Sequence, residues 1–290
     1  MHQRRPVIGL ALGGGGARGL AHIGVLKVIE RERINIACMS GTSMGGVIAA
    51  AYAAGVSLDQ ITLEAERLGN LTRMFELIDR KFHLFSGIFS NTGIQKYLRR
   101  LLGEHDTFES LRFPVALSAV DNRTGREVVL QSGSLLLAVN ATMALPGVVA
   151  PVVMGDMLLS DGGTLNNVPA DLVRSMGAEK VIAVNVSPAV EDLLRQNRFL
   201  PPAATAIWRA NNIANSAITL AKLRKANPDL LIYPELSPSI TTLTGFKYAR
   251  EVIAAGERAA YQALPELHQL QQAVVTAPPC TLRQSVAYEI

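Results

Sequence analysis

Ser43 lies in the run Ser40-Gly41-Thr42-Ser43-Met44-Gly45-Gly46, after the apolar stretch 34–39 and before the small-residue run 47–55. A serine flanked by Gly41 and Gly45 where a strand turns sharply into a helix has the pattern of a nucleophile elbow. The glycines let two backbone segments approach where a Cβ would clash. The chemistry such a serine offers is acyl transfer through a covalent intermediate, which needs a base for the serine proton and N–H donors for the oxyanion of the tetrahedral intermediate. The donors are suggested upstream by Gly13-Gly14-Gly15-Gly16-Ala17-Arg18-Gly19. Consecutive glycines at a helix start present unhindered amides to a negative oxygen, and the helix dipole adds to the attraction.

The base is the less obvious part. Of His2, His22, His83, His105 and His268, none is placed as a triad base: one is in a tail, one in the helix behind the glycine loop, two flank a peripheral segment and one is in the last polar helix. A carboxylate in a desolvated cleft can serve instead when burial raises its pKa toward the working pH. Asp161-Gly162-Gly163, at the end of the apolar run 157–159 and before Asn166-Asn167-Val168-Pro169, supplies that carboxylate. Taken alone, an Asp beside two glycines is a common turn.

These residues must be held by particular elements. The stretch 7–12 reads as a buried strand that runs into the glycines. A helix follows with Leu20, Ile23, Leu26, Val28 and Ile29 on one side and Arg18, Lys27, Glu30, Arg31, Glu32 and Arg33 on the other. The stretch 34–39 is a second strand, so the whole is a βαβ unit. Its strands are parallel and its crossover right-handed, which opens both carboxyl ends at one sheet edge and makes the glycine loop and Ser43 neighbours in space. Gly14, Gly16 and Gly19 also satisfy the dinucleotide-binding fingerprint, but that pattern expects an acidic residue about 20 positions on. Here Ser40-Gly41-Thr42-Ser43 occupies the end of the second strand. Tight helix–sheet packing alone is a further reading of the same glycines.

In these motifs the chain resembles the small bacterial patatin-like phospholipases, a family of serine acyl hydrolases with a Ser–Asp dyad. The glycine loop 13–19, the elbow 41–45 and the triplet 161–163 match in order. The segments 141–147 and 150–152, and the late stretches 229–234 and 245–260, are also similar, so the resemblance spans nearly the whole chain. It implies an α/β three-layer fold with a mostly parallel central sheet and helices on both faces. It implies Ser43 as nucleophile, Asp161 as base, and the amides of Gly14, Gly15 and Gly16 as oxyanion donors, supported by Gly13, Arg18, Gly19, Gly41, Gly45, Gly162 and Gly163. Arg18 could attract a phosphate or carboxylate or could form a salt bridge at the first helical turn. Two positions depart from the family pattern: Gly13, where many members carry Asp, and Asn140, where a basic residue is expected. An α/β-hydrolase fits less well, because its chain order demands a late histidine.

The 290 residues read as one domain over 1–290, with no Pro/Ser-rich linker; 49% hydrophobic and 18% charged residues allow a large core. Cys38 and Cys280 suggest no disulfide framework and a reducing compartment. A net charge of +4 without a basic and aromatic cluster argues against nucleic acid; Lys96, Arg99 and Arg100 read as a solvated helix face. Arg4-Arg5 before the short run 7–12 is not taken for a leader, since cleavage near Ala17 would remove the glycine loop, so the expected location is cytoplasmic. The nearly uncharged 134–154 is broken by Pro146, Gly147 and Pro151 and reads as helix, turn and strand. Arg73 to Ile94, rich in Phe, Leu and Ile, reads either as packing over the sheet edge or as a flap at an acyl-chain site. The C-terminal helix is expected over about 246–273. The sequence thus points to an ester hydrolase of phospholipid or lysophospholipid with no metal or organic cofactor, acting on a lipid or other acyl ester, with room for peripheral membrane contact. An adaptor keeping the fold with incidental hydrolysis is the alternative, and a nucleotide-binding module a lesser one.

Overall fold

The structure, a computed structural model, describes residues 4–69, 91–188, 202–242 and 245–273, with only the backbone of 91–92, 202–205 and 207–208. The segment 73–94, read either as packing over the sheet edge or as a flap, lies outside the described residues up to 90, as does Cys280.

The βαβ unit forms as its apolar pattern predicts. β1 (Ile8–Leu12) is wholly buried, a 3-10 turn over Gly16–Leu20 follows the glycines, and α1 (Ala21–Arg31) leads to β2 (Cys38–Gly41). β2 begins later than the apolar run suggests, at Cys38, and the chain turns ahead of the run at Arg33 with φ 53°. α2 (Met44–Ala53) starts at Ser43 and α3 (Leu58–Leu68) is opened by a capping box between Ser57 and Gln60. After α4 (Asn91–Leu102) come the hairpin of β3 (Val115–Asp121) and β4 (Arg126–Leu130), then α5 (Leu135–Thr142), β5 (Val152–Met154) and β6 (Met157–Asp161). The rest is α6 (Ala170–Ser175), β7 (Lys180–Val184), α7 (Pro202–Ala226), β8 (Leu230–Ile232), α8 (Ala249–Gln262) and α9 (Leu264–Gln272). The expected single C-terminal helix is split at Ala263, because Pro265 in the first turn of α9 has no amide to continue the α8 ladder.

The eight strands form one sheet, with β1 central between β2 and β7 and parallel to both; β2–β3 and β7–β8 are parallel, while β3–β4, β3–β6 and β5–β6 are antiparallel. Alternation along the central strands divides two cores. Leu10, Leu12, Ile182 and Val184 pack with α1, α2 and α8 on one face. Ala11, Cys38, Val181 and Ala183 pack with α6 and the end of α7 on the other. Helices thus cover both faces of a mixed sheet in which parallel pairs predominate. Each fully buried Leu or Ile in these cores contributes about 1.5–3 kcal/mol.

Register on β3 decides where the chemistry sits. Leu117 is paired with Gly41 and with Leu130, and Ala119 with Val128 and with Asp161. A strand residue has one partner on each side, so β4 occupies one edge of β3 and β2 and β6 share the other. They run in opposite directions and meet end to end, with Ser118 of β3 opposite the junction.

Candidate active site

From the β2 side, the chain leaves the sheet at Gly41 and reaches Ser43 two residues later. Ser43 has φ 53° and ψ −127°, a conformation that costs a non-glycine residue about 1–3 kcal/mol and persists only when its surroundings hold it. Here they do. The Ser43 amide donates to Thr142 Oγ1 at 3.0 Å, and the Thr142 hydroxyl donates to Ser118 O at 2.6 Å. Thr42 is held on both sides, its amide donating to Leu12 O at 3.2 Å and its hydroxyl to Asn166 O at 2.8 Å. Gly45 is where the elbow needs glycine most: a Cβ there would lie 2.2 Å from Leu12 O and 2.6 Å from Gly13 O, so the first turn of α2 rests directly on the end of β1. Gly41 and Gly19 also sit in the elbow's contacts, against Gly46 and Met44 respectively.

From the β6 side, Asp161 is the last strand residue and is 3% exposed. Its amide donates to Ala144 O at 2.9 Å, and its Oδ1 accepts the Gly163 amide at 2.8 Å, capping the short turn Gly162–Thr164. Gly162 lies flat against Ser118 O. Burial raises the Asp161 carboxyl to about 6, against the opposing pull of hydrogen bonds from the Ser43 hydroxyl and the Gly163 amide. The structure therefore brings Ser43 and Asp161 to the same cavity from opposite sides of one strand junction.

The glycine loop is the third wall. The Gly13 amide donates to Val184 O at 3.0 Å and the Gly14 amide to Asn167 O at 2.9 Å. The sequence reading grouped Gly14 with the oxyanion donors; in the structure its amide is already committed, while those of Gly15 and Gly16 have no partner among the described residues. Gly14 still lies against the nucleophile, since a Cβ there would be 3.2 Å from Ser43 Cβ. Arg18 also ties the loop to distant segments through backbone carbonyls. It is buried, and its guanidinium donates to Val186 O at 2.8 Å, after β7, and to Ile240 O at 3.2 Å, before α8. His22 is fully buried with its Nε2 2.7 Å from Gly13 O; burial lowers its pKa to about 4, so it is neutral at neutral pH and supports the loop as a donor. His105 and His268 sit instead beside Ser110 and Glu32, and no described histidine lines the cavity.

The two departures from the family pattern have different consequences. A side chain at Gly13 would meet Val168 Cγ2 at 2.9 Å and Val184 O at 3.0 Å, so this loop closes on its neighbours without an Asp. Asn140, on α5, is fully buried and neither atom of its amide has a hydrogen-bond partner among the described residues.

Ser43, Asp161 and Gly14 to Gly16 line a cavity of about 470 Å³. Its apolar lining includes Val47, Leu68, Ile94, Tyr97, Val149 and Phe246, and its amide and hydroxyl lining includes Asn211, Asn212, Asn215, Ser216 and Thr219 of α7. A largely apolar cavity with a few polar groups suits a chain-like ligand with a polar terminus. Sequence reasoning missed Thr142, Asn167 and the α7 wall. Asn167 Nδ2 donates to Gly14 O at 3.2 Å and Ser187 Oγ at 2.9 Å. It also missed Asn166, whose Nδ2 donates to Glu127 and Asp171 at 2.7 and 2.8 Å, with Lys222 pairing to both carboxylates. The signals available were the Asn166-Asn167 pair beside the Asp161 turn and the density of Asn inside a helix, where asparagine is a poor former.

A family model for patatin-like phospholipases matches residues 10–174, more than half of the chain and the whole of the Ser43–Asp161 junction. The chain belongs to the patatin-like phospholipase family. It is 34% identical over 203 residues to an uncharacterised NTE family protein of Mycobacterium tuberculosis, covering 70% of this chain and 54% of that one. It is 36% identical over 182 residues to human patatin-like phospholipase domain-containing protein 6, covering 62% of this chain and 13% of the human protein. The chain thus spans about half the length of the mycobacterial relative and a small part of the human one. Among solved structures, VipD from Legionella pneumophila is similar with a TM-score of 0.48 and 14% identity, covering 90% of this chain and 67% of VipD.

Proposed function

We propose that the protein is a serine acyl-ester hydrolase acting on phospholipid or lysophospholipid through Ser43 and Asp161. One observation carries this reading. Ser43 stands at a strained elbow and lines the same cavity as Asp161, a buried carboxylate whose pKa is raised to about 6, close to that of a working general base.

The acyl chain lies along the apolar lining of the cavity and the ester carbonyl beside Gly15 and Gly16. Asp161 takes the Ser43 proton as Ser43 Oγ adds to the carbonyl carbon, and the oxyanion is held by the free amides of Gly15 and Gly16. The tetrahedral intermediate collapses, the alcohol oxygen leaves with the proton from Asp161, and an acyl-serine remains. Water then gives its proton to Asp161 and adds to the acyl carbon; collapse returns the proton to Ser43 and releases the carboxylic acid. Every proton and electron pair is accounted for without a metal or organic cofactor. Arg18, His22 and Asn167 keep the loop in place during both steps.

The test is a head-group and chain-length panel of esters run beside fluorophosphonate labelling. Wild type is expected to hydrolyse long-chain esters and to label at Ser43, while Ser43→Ala loses both and stays folded. Labelling at another serine with turnover intact would sink the assignment. A folded, unlabelled and inactive wild type would favour the adaptor reading.

A further inference from the structure

α7 is a 25-residue helix that carries four Lys or Arg and no Asp or Glu. Its inward stripe lines the cavity through Asn212, Asn215, Ser216 and Thr219. On another face Ala206, Ala210, Ile213, Ala217 and Leu220 are all exposed and recur at steps of four and three, so they form one continuous apolar stripe. Ile213 is 48% and Leu220 46% exposed, and Ala214 and Ala221 widen the stripe beside them. One further step along the same line is Arg224, exposed, with exposed Lys225 next to it.

We infer that this face of α7 is a docking surface for an anionic lipid bilayer, on which the helix lies with Ile213 and Leu220 entering the interface and Arg224 and Lys225 on the headgroups. Charge decides between occupants. A second copy of the chain laid on the stripe would set one acid-free cationic helix against another, and like charges face to face oppose pairing. An anionic surface is complementary to the same charges, and binding by such a helix face grows with its apolar area and its basic residues. The helix is about 37 Å long at 1.5 Å per residue, yet no described helix is long and apolar enough to cross a membrane. Lying on the surface is the arrangement left to it. On the helix the stripe lies beside Asn212, Ser216 and Thr219, which line the cavity, so a lipid leaving the bilayer along α7 meets those polar side chains next.

This inference uses the hydrolase reading only for its purpose, and its test is independent of catalysis. Ser43→Ala protein, which leaves the lipid intact, is floated with vesicles of phosphatidylglycerol and phosphatidylcholine in equal parts, and with phosphatidylcholine alone. Binding is expected to the first and to be at least tenfold weaker to the second. Arg224→Gln with Lys225→Gln is expected to weaken binding to the anionic vesicles by about 25-fold, each charge giving about fivefold near such a surface. Ile213→Asp with Leu220→Asp should abolish it. In protein with Ser43 intact, neither pair should change turnover of a short soluble ester, since none of the four side chains lines the cavity. No flotation of the parent protein, or flotation that both pairs leave unchanged, overturns the inference. So does light scattering that finds a dimer which Ile213→Asp with Leu220→Asp converts to monomer, because the stripe would then belong to a second copy. Absence of soluble-ester turnover in the otherwise unaltered protein with Ser43 intact would overturn the hydrolase reading while leaving the vesicle result to stand.

Discussion

Asp161→Asn should make the protein more stable at neutral pH while removing its activity. In the folded chain burial raises the Asp161 carboxyl from 3.8 to about 6. A raised carboxyl pKa means the unfolded chain holds the ionised form more comfortably than the folded one, so ionised Asp161 destabilises the fold above pH 6. That cost fades as pH falls through 6 toward 3.8. With 1.36 kcal/mol per pKa unit, the shift amounts to about 3 kcal/mol at pH 7, and about half of it remains at pH 5. Asparagine removes the charge and keeps the geometry: its Oδ1 can accept the Gly163 amide as Asp161 does now, and its Nδ2 can donate to Ser43 Oγ. The assay is urea unfolding of wild type and Asp161→Asn between pH 5 and 8, with ester turnover in parallel. The variant is expected to be more stable by about 2–3 kcal/mol at pH 7, with the gap narrowing by about half at pH 5, and kcat is expected to fall at least a hundredfold. Wild-type turnover should itself drop tenfold per pH unit below about 6 as the base is protonated. A variant no more stable than wild type at pH 7, or a gap that ignores pH, would refute the account of Asp161 as a charge held in a dry site.

The remaining expectations concern the supports of the site. Thr142→Val removes the acceptor of the Ser43 amide and should lower kcat about ten- to a hundredfold with KM little changed, the mark of an interaction that matters in the transition state; an equal rise in KM would contradict it. Gly15→Ala should cripple turnover by an amount on the order of 2.7–4 kcal/mol, as for one lost oxyanion donor, and calorimetry should find no NAD or ATP binding to the wild type; micromolar nucleotide affinity with unchanged turnover in the variant would restore the dinucleotide reading. Asn140→Leu replaces a buried amide without partners by an apolar group of similar size and should raise stability by about 1–2 kcal/mol in urea unfolding. Cys38, whose thiol burial pushes up to about 12, should resist iodoacetamide at pH 8 in the folded protein and react on unfolding.

Much of the fold was legible because its signals are local. The buried run of β1 and the amphipathic α1 each announce one element, and the elbow, the glycine loop and the Asp161 turn each need glycine at fixed offsets. What stayed hidden depends on where distant segments meet. The Gly14 amide looked free in sequence; it is taken by Asn167 because the turn after Asp161 folds back over the loop. Thr142 is an ordinary threonine at a helix end until α5 is set beside Ser118, whose carbonyl it holds with one atom pair while it holds Ser43 with another. The cavity wall on α7 is contributed by side chains more than 160 residues from the elbow, and only the helix's unusual asparagine content hints at it.

The junction on β3 ties these pieces into one requirement. Side chains alternate along a strand, so a slip of one residue in the pairing of β6 would turn Asp161 to the opposite face and present Ser160 in its place. Ser160 now points away, its hydroxyl on Asn122 Oδ1 at 2.8 Å. Two contacts outside the β3 ladder fix the choice: Leu159 is paired with Val152 of β5, and the Asp161 amide is held by Ala144 O. Both partners belong to the stretch that runs on from α5, the same helix that carries Thr142 to Ser43. One short segment therefore sets the position of Ser43 through a side chain and the face of the Asp161 carboxylate through its backbone, and this explains how two residues so far apart in sequence come to line one cavity across the end of a single strand.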